Sequence, residues 1–189
     1  MTTPLDIVIM AAGKGTRMKS RHPKVLQKLA GRALLQHVLD TAAQLKARSA
    51  VVITGHGAAE VEAALTGEQS AEAGFDLLFA RQEPQLGTGH AVQQAIPQLA
   101  DDGLVVVLSG DVPLTQAATL QGLVDAAGSD KLALLTVSMP DPTGYGRIVR
   151  NEAGTVQRIV EQKDANDAER AITELYSGLT AVPAKHLKV

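Results

Sequence analysis

Short apolar runs alternate with stretches of helical periodicity from the first residues of the chain onward. Ile7-Val8-Ile9-Met10 is a run of strand length, and Ala50-Val51-Val52-Ile53, Leu77-Leu78-Phe79, residues 104–108 and residues 132–137 repeat the pattern. Between them Leu34, Leu35, Val38, Leu39, Ala42 and Leu45 recur at helical spacing, and Val61, Ala64 and Leu65 mark a shorter helix. Two more helices are expected over residues 88–99 and 116–127. Strands that are apolar throughout and separated by helices imply right-handed crossovers and a mainly parallel sheet covered on both faces, an α/β fold.

The rhythm changes after Pro140. The turn-rich Asp141-Pro142-Thr143-Gly144-Tyr145-Gly146 leads into two hairpin-like strands, Arg147 to Arg150 and Val156 to Val160, around Asn151-Glu152-Ala153-Gly154. A polar helix over residues 164–171 and a last strand over 175–182 follow. This segment reads as a small β-rich insertion walling one side of a cleft. Pro183 then opens what reads as another helix, and the chain stops inside it at Val189, so a chain cut short is expected.

Composition narrows the chemistry. The 189 residues are 45% hydrophobic and 20% charged, with aromatics at 2% and no Cys. The core must be aliphatic, thiolate chemistry and Cys-ligated zinc are excluded, and base-stacking platforms for single-stranded nucleic acid are not expected. No apolar run approaches membrane-spanning length, so neither a nucleic acid nor a membrane is an expected partner. Net charge is only −2, yet the stretch between Asp6 and Asp40 holds no acid while carrying Lys14, Arg17, Lys19, Arg21, Lys24, Lys28 and Arg32. Alone, such a run is as well read as a solvated basic face. Here it begins in the loop Ala11-Ala12-Gly13-Lys14-Gly15-Thr16-Arg17-Met18, whose small residues let backbone N–H groups approach a phosphate. The loop is neither a P-loop nor a dinucleotide fingerprint: the glycine spacing fails the first and Met18 the second. Lys24 follows Pro23 and has the alternative reading of an exposed loop lysine.

Met10 through Met18, followed by Pro23-Lys24-Val25-Leu26, resemble the signature of nucleoside-triphosphate:sugar-phosphate nucleotidyltransferases. Gln85-Leu86-Gly87-Thr88-Gly89-His90-Ala91, Gly110-Asp111-Val112-Pro113-Leu114 and Asp141 through Ile148 narrow the likeness. Together they resemble the amino-terminal domain of the bacterial bifunctional N-acetylglucosamine-1-phosphate uridyltransferases/glucosamine-1-phosphate acetyltransferases. The resemblance covers nearly the whole chain. It implies a Rossmann-like three-layer nucleotidyltransferase domain over residues 1–189, incomplete at its carboxyl end and without the acetyltransferase β-helix. It further implies a cytoplasmic enzyme that joins UTP and N-acetylglucosamine 1-phosphate, with Mg²⁺ as cofactor, for cell-envelope precursors. The family trimerises through the missing domain, so a monomer is expected of this chain.

The resemblance also implies site residues. Arg17 and Lys24 would meet the triphosphate and the charge of the transition state. Met10, Ala11, Ala12, Gly13, Gln82, Gly87 and Thr88 would surround the uridine. Ser109, Gly110, Asp111, Gly146, Glu161 and Tyr176 would face the sugar, although Tyr176 stands where the family has Asn. Asp111 ends an apolar strand, where a lone carboxylate suits Mg²⁺; its alternative is a cap for the next helix. Glu161 has the alternative of an exposed hairpin carboxylate. A further metal-binding Asn of the family would lie beyond residue 189. A sugar phosphate is already an anion near neutral pH, so no general base is required. Two rival readings remain: a cytidylyl- or guanylyltransferase of the same fold, and a nucleotide-binding fragment without turnover. His22, His37, His56, His90 and His186 show no metal-ligand spacing and read as core or surface residues, and Asp101-Asp102 as a solvated turn.

Overall fold

A computed structural model describes residues 3–15, 18, 20, 22–66 and 74–188. The chain forms two compact units, residues 1–133 with 180–189, and residues 134–179.

The first unit is built on four parallel strands, β1 (Leu5–Met10), β4 (Ser49–Thr54), β5 (Asp76–Arg81) and β6 (Leu104–Ser109), in the order β5-β4-β1-β6. The second half of β10 (Glu174–Pro183) runs antiparallel to β6, with Thr180 opposite Val107 and Pro183 opposite Leu104. The apolar runs do what their composition requires. Ile7, Val8, Ile9, Val51, Val52, Ile53, Val105 and Val106 have no solvent exposure, as expected of strands covered on both faces. On one face Val8, Val51, Ile53, Val105 and Val107 pack with Ala91 and Ala95 of a helix, α3 (Thr88–Ala95). The alanines let that helix sit close to the sheet. Helices α1 (Leu34–Ala43), α2 (Ala58–Leu65) and α4 (Ala117–Ala127) bury the apolar stripe their periodicity announces, for example Leu35, Val38, Leu39 and Ala42 in α1.

Four local differences from the sequence expectation have simple causes. The helix expected to reach residue 99 ends at Ala95, because Pro97 offers no N–H, and a 3-10 turn over Ile96–Gln98 follows. The turn after Pro183 is a single 3-10 turn, Ala184–His186. The polar helix over 164–171 contracts to α5 (Asp167–Arg170), because a capping box between Asn166 and Glu169 starts it late. Two short strands, β2 (Lys28–Leu29) and β3 (Arg32–Ala33), form an unexpected hairpin whose turn residues Ala30 and Gly31 both have positive φ.

The second unit contains β7 (Ala133–Ser138) from residue 134 on, the hairpin of β8 (Arg147–Arg150) and β9 (Val156–Val160), α5, and the first half of β10. Leu175 of β10 pairs with Arg147, and β7 also pairs with β10. Among the described residues no helix is long and apolar enough to cross a membrane.

At the amino-terminal edge of the first unit's sheet, Arg48 ties three strands together. Its Nε and Nη2 donate to the Asp6 carboxylate at 2.7 and 2.8 Å, its Nη1 to Asp102 at 2.7 Å, and Ser49 Oγ donates to Asp6 at 2.8 Å. Asp102 is exposed in a bend, as expected of a solvated turn, and also anchors Arg48. Asp6 is 1% exposed, so its charge depends on these donors. Arg48→Met should cost about 3 kcal/mol or more of unfolding free energy, the usual result of orphaning a buried charge. Urea denaturation checks this; a loss within experimental error of zero would show the network to be dispensable.

Candidate active site at the carboxyl ends of the parallel strands

The strand order creates a crevice. The chain runs from β1 outward through β4 to β5, then returns to the other side of β1 as β6, so β1 and β6 lie side by side at a topological switch point. In open α/β sheets, ligands bind at such points, outside the carboxyl ends of the strands. Met10, the last residue of β1, is paired with Ile53 on one side and Ser109 on the other.

The loop that leaves β1 is held from both sides. Gly110 N–H donates to Met10 O at 2.9 Å, and Ala11 N–H donates to Ile53 O at 2.9 Å. Ala12 O accepts from His56 N–H at 3.3 Å and from the Gln85 side chain. Ala11 and Ala12 are buried while Gly13 and Lys14 are exposed. A Cβ on Gly13 would meet nothing within 4 Å, which leaves the loop open to a close-lying ligand.

Asp111 and Lys24 meet at this crevice. The Lys24 ammonium forms an ion pair with Asp111 Oδ2, and Ser109 Oγ donates to Asp111 Oδ1 at 2.6 Å. Burial pushes the Asp111 carboxyl up, but the hydrogen bonds from Lys24 and Ser109, with the Lys24 charge, outweigh it and hold the group below the ordinary carboxylate range. Lys24 opens the 3-10 turn Lys24–Leu26, fixed by buried Val25. Its stem packs on the glycine loop: Gly15 has φ +57°, and a Cβ there would lie 2.8 Å from Lys24 Cβ. The phosphate-type loop and the cation are therefore in direct contact. Arg17, paired with Lys24 in the sequence reading, lies outside the described residues.

Gln82, Gly87 and Thr88 are also brought together. Gln82 is buried, and its Nε2 donates to Gly87 O at 2.8 Å. A carbonyl can only accept, so this contact fixes which end of the amide is nitrogen. His90 Nδ1 lies 3.3 Å from the same nitrogen and, as the unprotonated ring nitrogen, accepts its second hydrogen bond. Gln82 is left with Oε1, an acceptor, to offer a ligand. His90 thus orients Gln82; the sequence held no metal-like spacing to single it out, and only the fold brings the two together.

In the second unit Gly146, Glu161 and Tyr176 gather as the sequence reading grouped them. Gly146 O accepts from Tyr176 N–H at 2.9 Å, and a Cβ on Gly146 would lie 3.5 Å from Glu161 Oε1. Glu161 is exposed.

Among the described residues no three His, Cys, Asp or Glu side chains cluster as a metal site. A single hard carboxylate beside a hydroxyl, as at Asp111 and Ser109, nevertheless fits Mg²⁺, which takes one or two carboxylates and fills its shell with water and substrate phosphates.

A glycine loop, a lysine and a carboxylate converging on the switch point of a parallel sheet define a nucleotide-handling α/β domain. The sequence profile of the MobA-like NTP transferase domain matches residues 7–177, and the chain belongs to that family of nucleotidyltransferases. Over 185 residues it is 74% identical to the bifunctional protein GlmU of Acidovorax sp. (strain JS42), a match covering 98% of this chain and 39% of that protein. It is 56% identical over 184 residues to the bifunctional protein GlmU of Herminiimonas arsenicoxydans, covering 97% of this chain and 39% of the relative. The chain thus spans about two fifths of the length of these curated relatives. Among solved structures, UDP-glucose pyrophosphorylase complexed with UDP-glucose superposes with a TM-score of 0.77 at 16% identity, over 98% of this chain and 78% of the other. A putative glucose-1-phosphate thymidylyltransferase from Bacillus anthracis gives 0.76 at 18% identity, over 97% and 73%. At these identities the solved structures establish the shared fold.

The ion pair makes a testable demand. In metal-free buffer a nucleoside triphosphate must compete with Asp111 for Lys24. Asp111→Asn should tighten triphosphate binding about tenfold, the usual worth of a hydrogen bond to a charged group. Most of that gain should vanish in a Lys24→Met background. Calorimetry of the four proteins in chelator decides; an equal gain in both backgrounds would mean that Asp111 acts only by repelling phosphate.

Proposed function

We propose that the chain transfers a uridylyl group from UTP to N-acetylglucosamine 1-phosphate, forming UDP-N-acetylglucosamine and pyrophosphate. The observation that carries the reading is the meeting of Lys24 with Asp111 against the glycine loop at the switch point. Membership of the NTP transferase family supports the reaction class. The choice of UTP and an amino sugar rests on the resemblance carried by Gln85 through Ala91 and Asp141 through Ile148.

In this reading the sugar phosphate oxygen attacks the α-phosphorus, a new P–O bond forms, and the bond to the bridging oxygen of pyrophosphate breaks. Two polyanions must be brought together and the charge of the leaving group held, so positioning and electrostatics carry the acceleration. The backbone of Met10 to Gly13 lines the nucleotide. Gln82 Oε1 accepts from the base, for which the N3–H of uracil is a suitable donor. Gly87 and Thr88 flank the ribose, and Lys24, with Arg17, takes the phosphate charge. Asp111 is the proposed ligand of Mg²⁺, with Ser109 and Gly110 beside it, and the ion would screen and polarise the phosphates. Gly146, Glu161 and Tyr176 are proposed for the amino sugar. We place the activity in the cytoplasm, where UTP is supplied, and take the chain by itself as a monomer; in its longer relatives we place trimer assembly in the part this chain does not span.

Pyrophosphate release measured across the four nucleoside triphosphates, with N-acetylglucosamine 1-phosphate and with glucose 1-phosphate, tests the assignment. UTP with the amino sugar should be fastest; equal rates across the nucleotides would remove the uridylyl assignment. Asp111→Ala should lower the rate about 10²–10³-fold, the typical loss when one charge-stabilising group is removed. Because the chain spans only part of its relatives, a nucleotide-binding piece without turnover is the second reading. It would be selected by UTP binding with no pyrophosphate release at high protein concentration.

A further inference from the structure

The sugar-side motif contains a residue to which the proposed reaction gives no role. Arg147 is 1% exposed, one of the largest fully buried side chains of the protein. It sits in β8 opposite Val160 and Leu175, both buried and aliphatic. Burying a guanidinium among such neighbours is costly, and an aliphatic side chain of similar volume is the more stable filler. Among the described residues no carboxylate forms an ion pair with it, although, after the hydrogen bonds from Thr143, its charge helps to hold the Asp141 carboxyl below the ordinary range. The Arg147 Nη1 instead donates to Tyr145 O and its Nη2 to Arg170 O at 3.4 Å, while its Nε has no partner among the described residues.

The Tyr145 carbonyl belongs to the same peptide unit as the Gly146 N–H. In a trans peptide these two groups point to opposite sides. A guanidinium that draws the Tyr145 carbonyl inward therefore turns the Gly146 N–H away from the buried cation. The next carbonyl, Gly146 O, is held by Tyr176 N–H at 2.9 Å, so the peptide on either side of Gly146 is fixed. The preceding turn is tied as well: Thr143 N–H donates to Asp141 Oδ1 at 3.0 Å and Gly144 N–H to Gln162 Oε1 at 3.2 Å. Glu161 Oε1 lies 3.5 Å from the point where a Cβ on Gly146 would stand. A main-chain donor and a carboxylate acceptor are thus held side by side, a pairing that suits a sugar bearing hydroxyls and an amide.

We propose that Arg147 is a positioning residue for the sugar subsite: its buried guanidinium sets the orientation of the Tyr145–Gly146 peptide and so presents the Gly146 N–H to the sugar. This rests on the amino-sugar reading above. Calorimetry with UDP and with UDP-N-acetylglucosamine tests it on the wild type and on Arg147→Met, Arg147→Gln and Arg147→Lys. Arg147→Met loses the donor and should weaken UDP-N-acetylglucosamine about tenfold while leaving UDP unchanged. Arg147→Gln keeps an amide donor for the carbonyl and should stay within about threefold of wild type, with Arg147→Lys between. Equal loss of both ligands, or sugar-nucleotide binding by Arg147→Met as tight as wild type, overturns the proposal. Should Arg147→Met fail to fold, the Gly146 amide of ¹⁵N-labelled wild type carries the test. It should shift on adding UDP-N-acetylglucosamine and not UDP; an unmoved amide overturns the proposal. Wild type that gains nothing from the attached sugar would instead remove the amino-sugar reading itself.

Discussion

A carboxylate half-buried at the end of a parallel strand needs a cation, and in this protein the cation is Lys24. That requirement organises the first unit. The turn at Lys24–Leu26 is anchored by Val25, the lysine stem lies on Gly15, and the loop bearing Gly15 is pinned at its start to Ile53 of β4 and to His56 by main-chain bonds. A polyanion with its own counter-cation can replace both halves of the ion pair at once, taking the lysine and supplying the carboxylate with a metal. In the proposed reading, the nucleotide-free protein thus holds its phosphate-binding charge neutralised and near its place of use, which limits the reorganisation that substrate binding requires.

The rest of the sheet keeps that edge in register. The Arg48 network closes the opposite, amino-terminal edge by joining the starts of β1, β4 and β6. The same strands end at Met10, Thr54 and Ser109, still paired in register, at the edge where the proposed site lies. Gln82 shows the same economy, since its amide nitrogen is spent on Gly87 and His90 and only its oxygen is left for recognition.

Much of this was legible in the sequence because strong local signals coincide with global ones. Short aliphatic runs rich in β-branched residues, such as Ile7 to Met10 and Leu104 to Leu108, read as buried strands, and the glycine loop and Asp111 stand at their carboxyl ends. Gly146, Glu161 and Tyr176 were grouped by resemblance, and the β8–β9 hairpin together with the pairing of β10 to β8 brings them together, a long-range register that no local pattern encodes. His90 and Asp102 were read only as core, surface or turn residues and Arg147 was given no role, because each acts on a partner that only the fold brings near or on a main-chain carbonyl, which leaves no spacing rule to detect. The β2–β3 hairpin was missed because its turn uses Ala30-Gly31, where Asn-Gly or Asp-Gly would have announced it.

A crystal structure of the chain with a non-hydrolysable UTP analogue and magnesium would test the shared cradle most directly. The triphosphate should lie against Ala11 to Gly15, with Lys24 moved from Asp111 to a phosphate oxygen and the ion at Asp111. A triphosphate bound elsewhere, or Lys24 still paired with Asp111 in the filled site, would contradict the account.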